Sequence, residues 1–333
     1  MIPLESLPTS TPNLSSLASL LAAQLNAVNV CILEKMQSPV TLIPQIAGYL
    51  VSLGGKRLRP LLTIATAELC GYEGKRHIDL AACVEFIHTA TLLHDDVVDE
   101  SSLRRGKATA NALWSNQASV LVGDFLFSRA FELMVADGSL DVLRILSQAS
   151  SAIAEGEVMQ LTSSHDLGLG QETYLKIIGA KTARLFSAAT EVGAVVAEAD
   201  DSQRKALSKF GHTLGIAFQL KDDVLDYAAD QEKLGKAIGD DFREGQVTLP
   251  VILAYEKGAD RAFWQEAFIG GIRDAGALAH AIRLLKESGA LLKTKHIAQE
   301  FVEEALDCLK MFPESSLKTA LQDLAYFSIH REV

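Results

Sequence analysis

The chain has 333 residues and a formal net charge of −11, which gives it enough length for a large core but no overall basic character. This acidity argues against a nucleic-acid-binding surface, and no uncharged apolar run reaches the roughly 20 residues that a membrane-spanning helix needs. The four cysteines are scattered and form no CxxC pattern, which favours reduced thiols in a cytoplasmic protein.

The composition predicts a helical protein. Hydrophobic residues make up 48% of the chain and aromatic residues only 6%, so the core is aliphatic. No proline lies between Pro60 and Pro250, and a long proline-free stretch rich in Ala, Leu and Glu favours helix. We therefore expect an all-α fold: residues 1–12, rich in Pro, Ser and Thr, form a loose segment, and residues 13–333 form a single helical domain. The first amphipathic stretch is interpreted as a packing or dimer helix.

The first motif in chain order is a basic, glycine-rich turn. Gly54 to Pro60 reads GGKRLRP and carries Lys56, Arg57 and Arg59. Cations at the start of a helix, after two glycines, suit a diphosphate group. Basic turns are common, so this motif gains meaning only from its combination with the others.

An acidic cluster follows at the end of an apolar helical run. Glu85 to Arg105 reads EFIHTATLLHDDVVDESSLRR. At about 100° per residue, the three aspartates of this stretch share one arc of a helix, where they repel one another unless a cation joins them. Magnesium is the cation that carboxylates and phosphates bind together, and arginine is suited to phosphate. The residues concerned are Asp95, Asp96, Asp99, Arg104 and Arg105, with His88 two turns earlier on nearly the same face.

The same DDxxD spacing occurs a second time. Gln219 to Tyr227 reads QLKDDVLDY, and Asp222, Asp223 and Asp226 occupy the acidic positions. A single acidic triplet is usually a solvated helix face. Two copies, each closing an apolar helix, indicate a paired metal site, with Gln219 on the same face as the second cluster.

Two further stretches carry candidate polar groups between and after the acidic clusters. Lys181 and Thr182 interrupt an apolar helix, where a phosphate oxygen would supply the lysine with a partner. Asp230 to Pro250 is a glycine-rich stretch that includes Lys236, and a flexible loop beside a metal site is a candidate lid.

Together these stretches resemble the trans-polyprenyl diphosphate synthase family, and are most similar to its bacterial octaprenyl members. The matching segments are GGKRLRP, EFIHTATLLHDDVVDESSLRRGKATAN, GEVMQL, KTARLF, FQLKDDVLDY and GKAIGDDFREGQVTLP. The resemblance implies the all-α isoprenoid synthase fold with a central apolar cavity, a homodimer, and Mg²⁺ bound by the two aspartate motifs. It implies successive condensation of isopentenyl diphosphate onto an allylic diphosphate of the farnesyl or geranyl type. One position departs from the family pattern, since Gln246 stands where a second lysine is common.

The resemblance also assigns roles to individual residues. It implies metal binding by Asp95, Asp99 and Asp222; allylic diphosphate binding by Arg104, Lys181, Thr182, Gln219 and Lys236; and isopentenyl diphosphate binding by Lys56, Arg59, His88 and Arg105, to which the basic turn adds Arg57. We expect Asp95, Asp99, Lys181, Asp222 and Lys236 to be the main catalytic residues. Ala90 and Thr91, one turn before Asp95, are small, and a tail running past them predicts a long octaprenyl or decaprenyl product for quinone side chains.

Two other functions are considered. A phosphohydrolase would use His94 and Asp95 as a metal-binding pair, but this leaves the second acidic motif and Lys181 unexplained. A non-catalytic subunit of a heteromeric synthase would be expected to lose residues of the acidic motifs, and both motifs are complete.

Overall fold

The computed structural model describes residues 14–104, 106–228 and 238–331, and these are almost entirely helical. The N-terminal half contains α1 (Leu14–Leu20), α2 (Ala22–Lys35), α3 (Leu42–Ser52), α4 (Leu58–Leu69), α5 (Arg76–Val98), a hairpin of β1 (Leu103–Arg104) and β2 (Lys107–Ala108), α6 (Ala110–Leu113), α7 (Asn116–Asp137) and α8 (Leu140–Ser163). The remainder contains α9 (Gln171–Ile178), a π-helical turn (Gly179–Ala183), α10 (Arg184–Val196), α11 (Asp201–Ala228), α12 (Asp240–Glu244), α13 (Leu249–Glu256), α14 (Arg261–Phe268), α15 (Ala275–Glu287), α16 (Ala290–Leu309) and α17 (Ser316–His330). The all-α prediction is confirmed.

The two helices that carry the acidic motifs lie at the centre of the fold. Helix α5 packs against α2, α4 and α7, and α11 packs against α10, α16 and α17. Most of the middle of α5 is buried, because Leu80 to Ile87 face neighbouring helices on all sides. The first motif therefore lies where α5 leaves the apolar core, whereas the second lies on a part of α11 that is still largely buried.

The hydrophobic core consists of two clusters that share α11. The larger cluster gathers α4, α5, α7, α8 and α10 with the first half of α11, and the smaller gathers α9 and α13 to α16 with its second half. The prediction of a single domain over residues 13–333 agrees with this shared helix and stays a prediction. Within the described residues, no helix has the length and apolar character required to cross a bilayer.

Local sequence explains where the site helices begin and end. Helix α4 starts after Arg57, which has a left-handed φ of 47°, and Pro60 falls in the first helical turn, where a missing amide is tolerated. Helix α5 stops at Asp99, its C-cap, and Glu100 follows with a φ of 52°. The chain then turns back through the β1–β2 hairpin, in which Arg104 pairs with Lys107.

Candidate active site

The C-terminal ends of α5 and α11 open into one cleft of about 870 Å³. Its polar lining comes from both acidic motifs, from the basic turn before α4 and from the π-helical turn. Its apolar lining comes mainly from α8, α9, α10 and α11, and includes Ile153, Ile177, Ile178, Phe186 and Phe218. The two motifs that lie far apart in sequence thus face the same space.

In the first motif, the middle aspartate has a different role from its neighbours. Asp95 and Asp99 line the cleft, whereas Asp96 is 1% exposed and lies beneath it. The Arg104 guanidinium donates to Asp96 through Nε at 2.9 Å and Nη2 at 2.7 Å. The Asp96–Arg104 pair therefore ties the β-hairpin to α5, and Asp96 is not placed to bind a metal in the cleft.

Glu157, a residue of α8, adds a further carboxylate beside the first motif. Burial, and then the carboxylates of Glu157 and Asp99, raise the pKa of Asp95, although Lys181 and Arg104 oppose this rise. Glu157 Oε2 lies 2.7 Å from Lys181 Nζ. Burial lowers the pKa of Lys181, but Glu157 and Asp95 outweigh it and keep the pKa above its ordinary value. Lys181 is therefore charged in the pH range in which most enzymes work.

The π-helical turn brings Lys181 and Thr182 to the cleft. Such turns add one residue to a helix and are frequent at functional sites. Thr182 Oγ1 donates to Gln219 Oε1 at 3.0 Å, and Gln219 Nε2 donates to Asp223 Oδ1 at 3.1 Å. The Tyr174 hydroxyl donates to the other oxygen of Asp223. A continuous hydrogen-bond chain therefore links the turn to the second acidic motif.

The three aspartates of the second motif have different environments. Both oxygens of Asp223 accept hydrogen bonds, one from Tyr174 and one from Gln219. Burial raises the pKa of Asp223 to about 7, although these two hydrogen bonds lower it. Asp226 accepts from the backbone amides of Asp240 and Asp241 at the start of α12. Asp222 is 43% exposed in its side chain and is the most open of the three to the cleft.

Asp222 is held by an arginine at the end of α17. Arg331 Nη2 donates to Asp222 Oδ1 at 2.7 Å and to the Phe218 carbonyl at 3.0 Å. The Arg331 guanidinium carbon also lies 3.9 Å from the centre of the Phe218 ring. The last turn of α17 is thereby attached to the second motif.

The basic turn lies on the same cleft. Arg57 pairs with Glu85 of α5, which neutralises its charge locally. Arg59 lies over the Phe186 ring at 4.5 Å, and its buried Nε has no hydrogen-bond partner in the described structure. Burial lowers the pKa of Arg59 to about 10, although Glu85 and Asp222 counteract this. Lys56 and His88 line the cleft beside it, so this group suits an anion.

Comparison with known proteins identifies the family. The family model described as polyprenyl synthetase matches residues 40–285. The chain is 45% identical over 324 residues to octaprenyl diphosphate synthase of Escherichia coli. The matched region covers 96% of this chain and 99% of that protein. A crystal structure of a Caulobacter crescentus polyprenyl synthase complexed with calcium and isoprenyl diphosphate is 49% identical, with a TM-score of 0.94 over 98% of this chain and all of the other.

The chain belongs to the polyprenyl synthetase family. The family predicted from the sequence is therefore confirmed, together with the expected prenyltransferase class. A decaprenyl diphosphate synthase structure from Rhodobacter capsulatus is also 48% identical, with a TM-score of 0.91, and covers 95% of this chain and 98% of that chain. Several long-chain members are thus among the relatives of this polyprenyl synthetase.

The remaining predicted residues fall into three groups in this polyprenyl synthetase. Gln246 and Thr91 line the cleft. Ala90 is fully buried in the larger core cluster and is not part of the cleft wall. Arg105 and Lys236 lie outside the described residues.

Several residues of the site were missed by inspection of the sequence. They are Glu85, Glu157, Tyr174 and Arg331, all of which contact a predicted site residue. Glu157 lies in the GEVMQL stretch that resembles the family, so a polar residue next to Gly156 on an apolar helix was an available signal. Tyr174 and Arg331 had no such signal, because their roles depend on how α9 and α17 pack.

The carboxylates of the cleft fit a divalent cation shared with a ligand. In the described part of the chain, no cluster of three His, Cys, Asp or Glu side chains converges into a closed metal cage. Burial destabilises Asp95 as an anion, and the nearby carboxylate of Asp99 raises the pKa of Asp95 further. A hard cation with oxygen ligands, completed by phosphate oxygens, would relieve this repulsion. Dependence on a divalent metal therefore agrees with the donor set.

Proposed function

We propose that this chain is a Mg²⁺-dependent, long-chain trans-polyprenyl diphosphate synthase that adds isopentenyl diphosphate repeatedly to an allylic diphosphate. The observation that carries the proposal is the cleft itself, in which two acidic helix ends, Lys181 and the basic turn surround one space. The names of the relatives support the long-chain product, since they include octaprenyl, nonaprenyl and decaprenyl diphosphate synthases.

The allylic diphosphate would occupy the side of the cleft formed by both acidic motifs. Asp95, Asp99 and Asp222 would hold Mg²⁺, whose role when bound is to neutralise charge on the diphosphate leaving group. Lys181 would donate to the same oxygens as the C1–O bond breaks and the diphosphate departs with the electron pair. Asp96, Asp223 and Asp226 would act as supports, because their oxygens already accept hydrogen bonds within the protein.

Isopentenyl diphosphate would bind at the basic turn. Lys56, Arg59 and His88 would hold its diphosphate, and the partnerless Nε of Arg59 would gain an acceptor. The C4 carbon of its double bond then bonds to C1 of the allylic cation, and a proton leaves C2 for the departing diphosphate. No nucleophilic side chain takes part, so the protein acts by orientation and by stabilising charge.

The apolar wall of the cleft would exclude water from the allylic cation. Phe186 and Phe218 lie near the basic groups, and their ring faces are attractive to positive charge. We propose that the growing tail leaves the cleft beside Thr91, a small residue of the cleft wall, and runs past the buried Ala90, consistent with a quinone side-chain precursor. The homodimer expected from the sequence stays a prediction.

The test is product analysis with purified protein, Mg²⁺, farnesyl diphosphate and radiolabelled isopentenyl diphosphate. We expect chains of about 40 to 50 carbons, and loss of at least about a hundredfold in rate for Asp95→Asn and Asp222→Asn. Asp201→Asn is the matched control, because Asp201 is exposed at the opposite end of α11. Release of phosphate without elongation would support a hydrolase instead, and no product under any metal condition would support a non-catalytic subunit.

A further inference from the structure

Glu157 lies on the cleft outside both acidic motifs and forms an ion pair with Lys181, a proposed phosphate-binding residue. It reaches the π-helical turn because the residue before it is a glycine. A methyl group at Gly156 would lie 2.6 Å from the Lys181 amide nitrogen and 3.0 Å from Ala180 Cβ. Helix α8 therefore approaches the backbone of the turn at a distance that only glycine permits. This approach places Glu157 directly beside Lys181.

Lys181 has other acidic neighbours that compete for it. Asp95 and Asp99 both interact electrostatically with its ammonium group, and both line the cleft. A lysine side chain is flexible and carries three donors, so it can move toward whichever carboxylate is available. With Glu157 bound at 2.7 Å, one donor is occupied and two are left for a ligand.

We propose that Glu157 is a positioning residue that holds Lys181 toward the bound allylic diphosphate and away from Asp95 and Asp99, so that these two carboxylates stay available to the metal. The proposal rests on the role assigned above to Lys181. The same arrangement of a glutamate fixing a phosphate-binding lysine occurs in protein kinases, where the pair must be formed for phosphoryl transfer. Here the glutamate has a second effect, because it prevents the lysine from acting as an internal counter-ion at the metal site.

Removal of Glu157 has an effect that depends on its ion pair with Lys181. Without Glu157, the Lys181 ammonium would turn to Asp95 or Asp99 and compete with Mg²⁺. Loss of a negative charge near a diphosphate would otherwise be expected to tighten its binding. The same loss near Mg²⁺ would weaken metal binding, so the positioning role is separated from simple electrostatics only if the effect disappears when Lys181 is replaced.

The experiment is a double-mutant cycle read out by binding. Farnesyl thiolodiphosphate, which resists loss of its diphosphate group, is titrated by calorimetry into wild type, Glu157→Gln, Lys181→Gln and the double variant at several Mg²⁺ concentrations. Glu157→Gln preserves the size of the side chain and removes its charge. Glu155→Gln is the matched control, since Glu155 is exposed two residues earlier on the same helix. Glu157→Ala is the second variant, and thermal unfolding reports whether each protein is folded.

We expect Glu157→Gln to weaken the binding of the analogue and of Mg²⁺ by about tenfold, as for the loss of one charge-assisted hydrogen bond. In the Lys181→Gln background the same change should have no effect beyond about twofold. An undiminished effect in that background would overturn the proposal, because Glu157 would then act on the metal or the fold directly. Tighter or unchanged binding by Glu157→Gln would overturn it as well. If Lys181→Gln alone has no effect, the assignment of Lys181 fails, while the elongation assay above still tests the overall activity.

Discussion

The close approach of α8 to the π-helical turn gives a prediction for Gly156→Ala. The added methyl group would meet the Lys181 amide nitrogen at 2.6 Å, where ordinary contacts lie at 3.4–4 Å. Since backbone atoms cannot rotate away, the helix and the turn must separate by about 1 Å, and such overpacking costs about 1 to 3 kcal/mol. An unfolding entropy of about 2.1 cal/mol/K per residue converts ~2 kcal/mol into a Tm lowered by about 3 °C for a chain of this length.

The effect of Gly156→Ala on catalysis should exceed its effect on stability. A displacement of about 1 Å in a group that orients the substrate can lower the rate by about a hundredfold. We would measure kcat/KM for farnesyl diphosphate together with Tm, using Gly48→Ala as the control. Gly48 lies within α3 with nothing within 4 Å of an added methyl group, so this change should raise stability by up to about 1 kcal/mol. A Gly156→Ala enzyme with wild-type kcat/KM and Tm would refute the reasoning.

The other predictions concern chain length, the C-terminal arginine and pH. Ala90→Phe should shorten the product, because a large ring would fill the core beside the first motif; unchanged chain length on thin-layer analysis would refute the tail direction. Arg331→Met should lower the unfolding free energy by about 2 kcal/mol, after discounting the half-exposed partner Asp222. It should also tighten Mg²⁺ binding measured by calorimetry, because Asp222 loses a cation that competes with the metal. His77 is buried and its ring nitrogens have no described partner, so burial lowers the pKa of His77 below 6.5 in the folded state. Stability should therefore be lost as pH falls below about 6.5, and His77→Phe should reduce this loss in urea titrations at pH 7.5 and 5.5.

Much of the site could be predicted because the types and spacing of its residues are local features of the sequence. The DDxxD spacing places Asp95 and Asp99 on one helix face whatever surrounds the helix, and the same holds for Asp222 in the second motif. Lys181 stood out for a similar reason, as a charge in an otherwise apolar helical stretch. The repetition of the acidic pattern was decisive, since repelling charges at the ends of two apolar helices require a shared ligand.

Other assignments depend on neighbours that are distant in sequence. Asp96 follows Asp95 directly, yet its side chain points away from the cleft and binds Arg104 across the β-hairpin. Spacing alone treats all three aspartates of a motif alike, because it does not include the burial that separates ligands from supports. Arg104 lines the cleft while it is bound to Asp96, and its contact with the allylic diphosphate stays a prediction.

The amino-acid sequence by itself determined the helical class, the two acidic motifs, the basic turn and the family, because helix periodicity and charge spacing are local properties. Tertiary structure alone decided which carboxylates face the cleft, that Glu157 meets Lys181, and that Arg331 reaches Asp222 from the far end of the chain. These contacts arise from how α8, α11 and α17 pack. Packing distances such as the 2.6 Å approach at Gly156 depend on the positions of several helices at once, which no single stretch of sequence encodes.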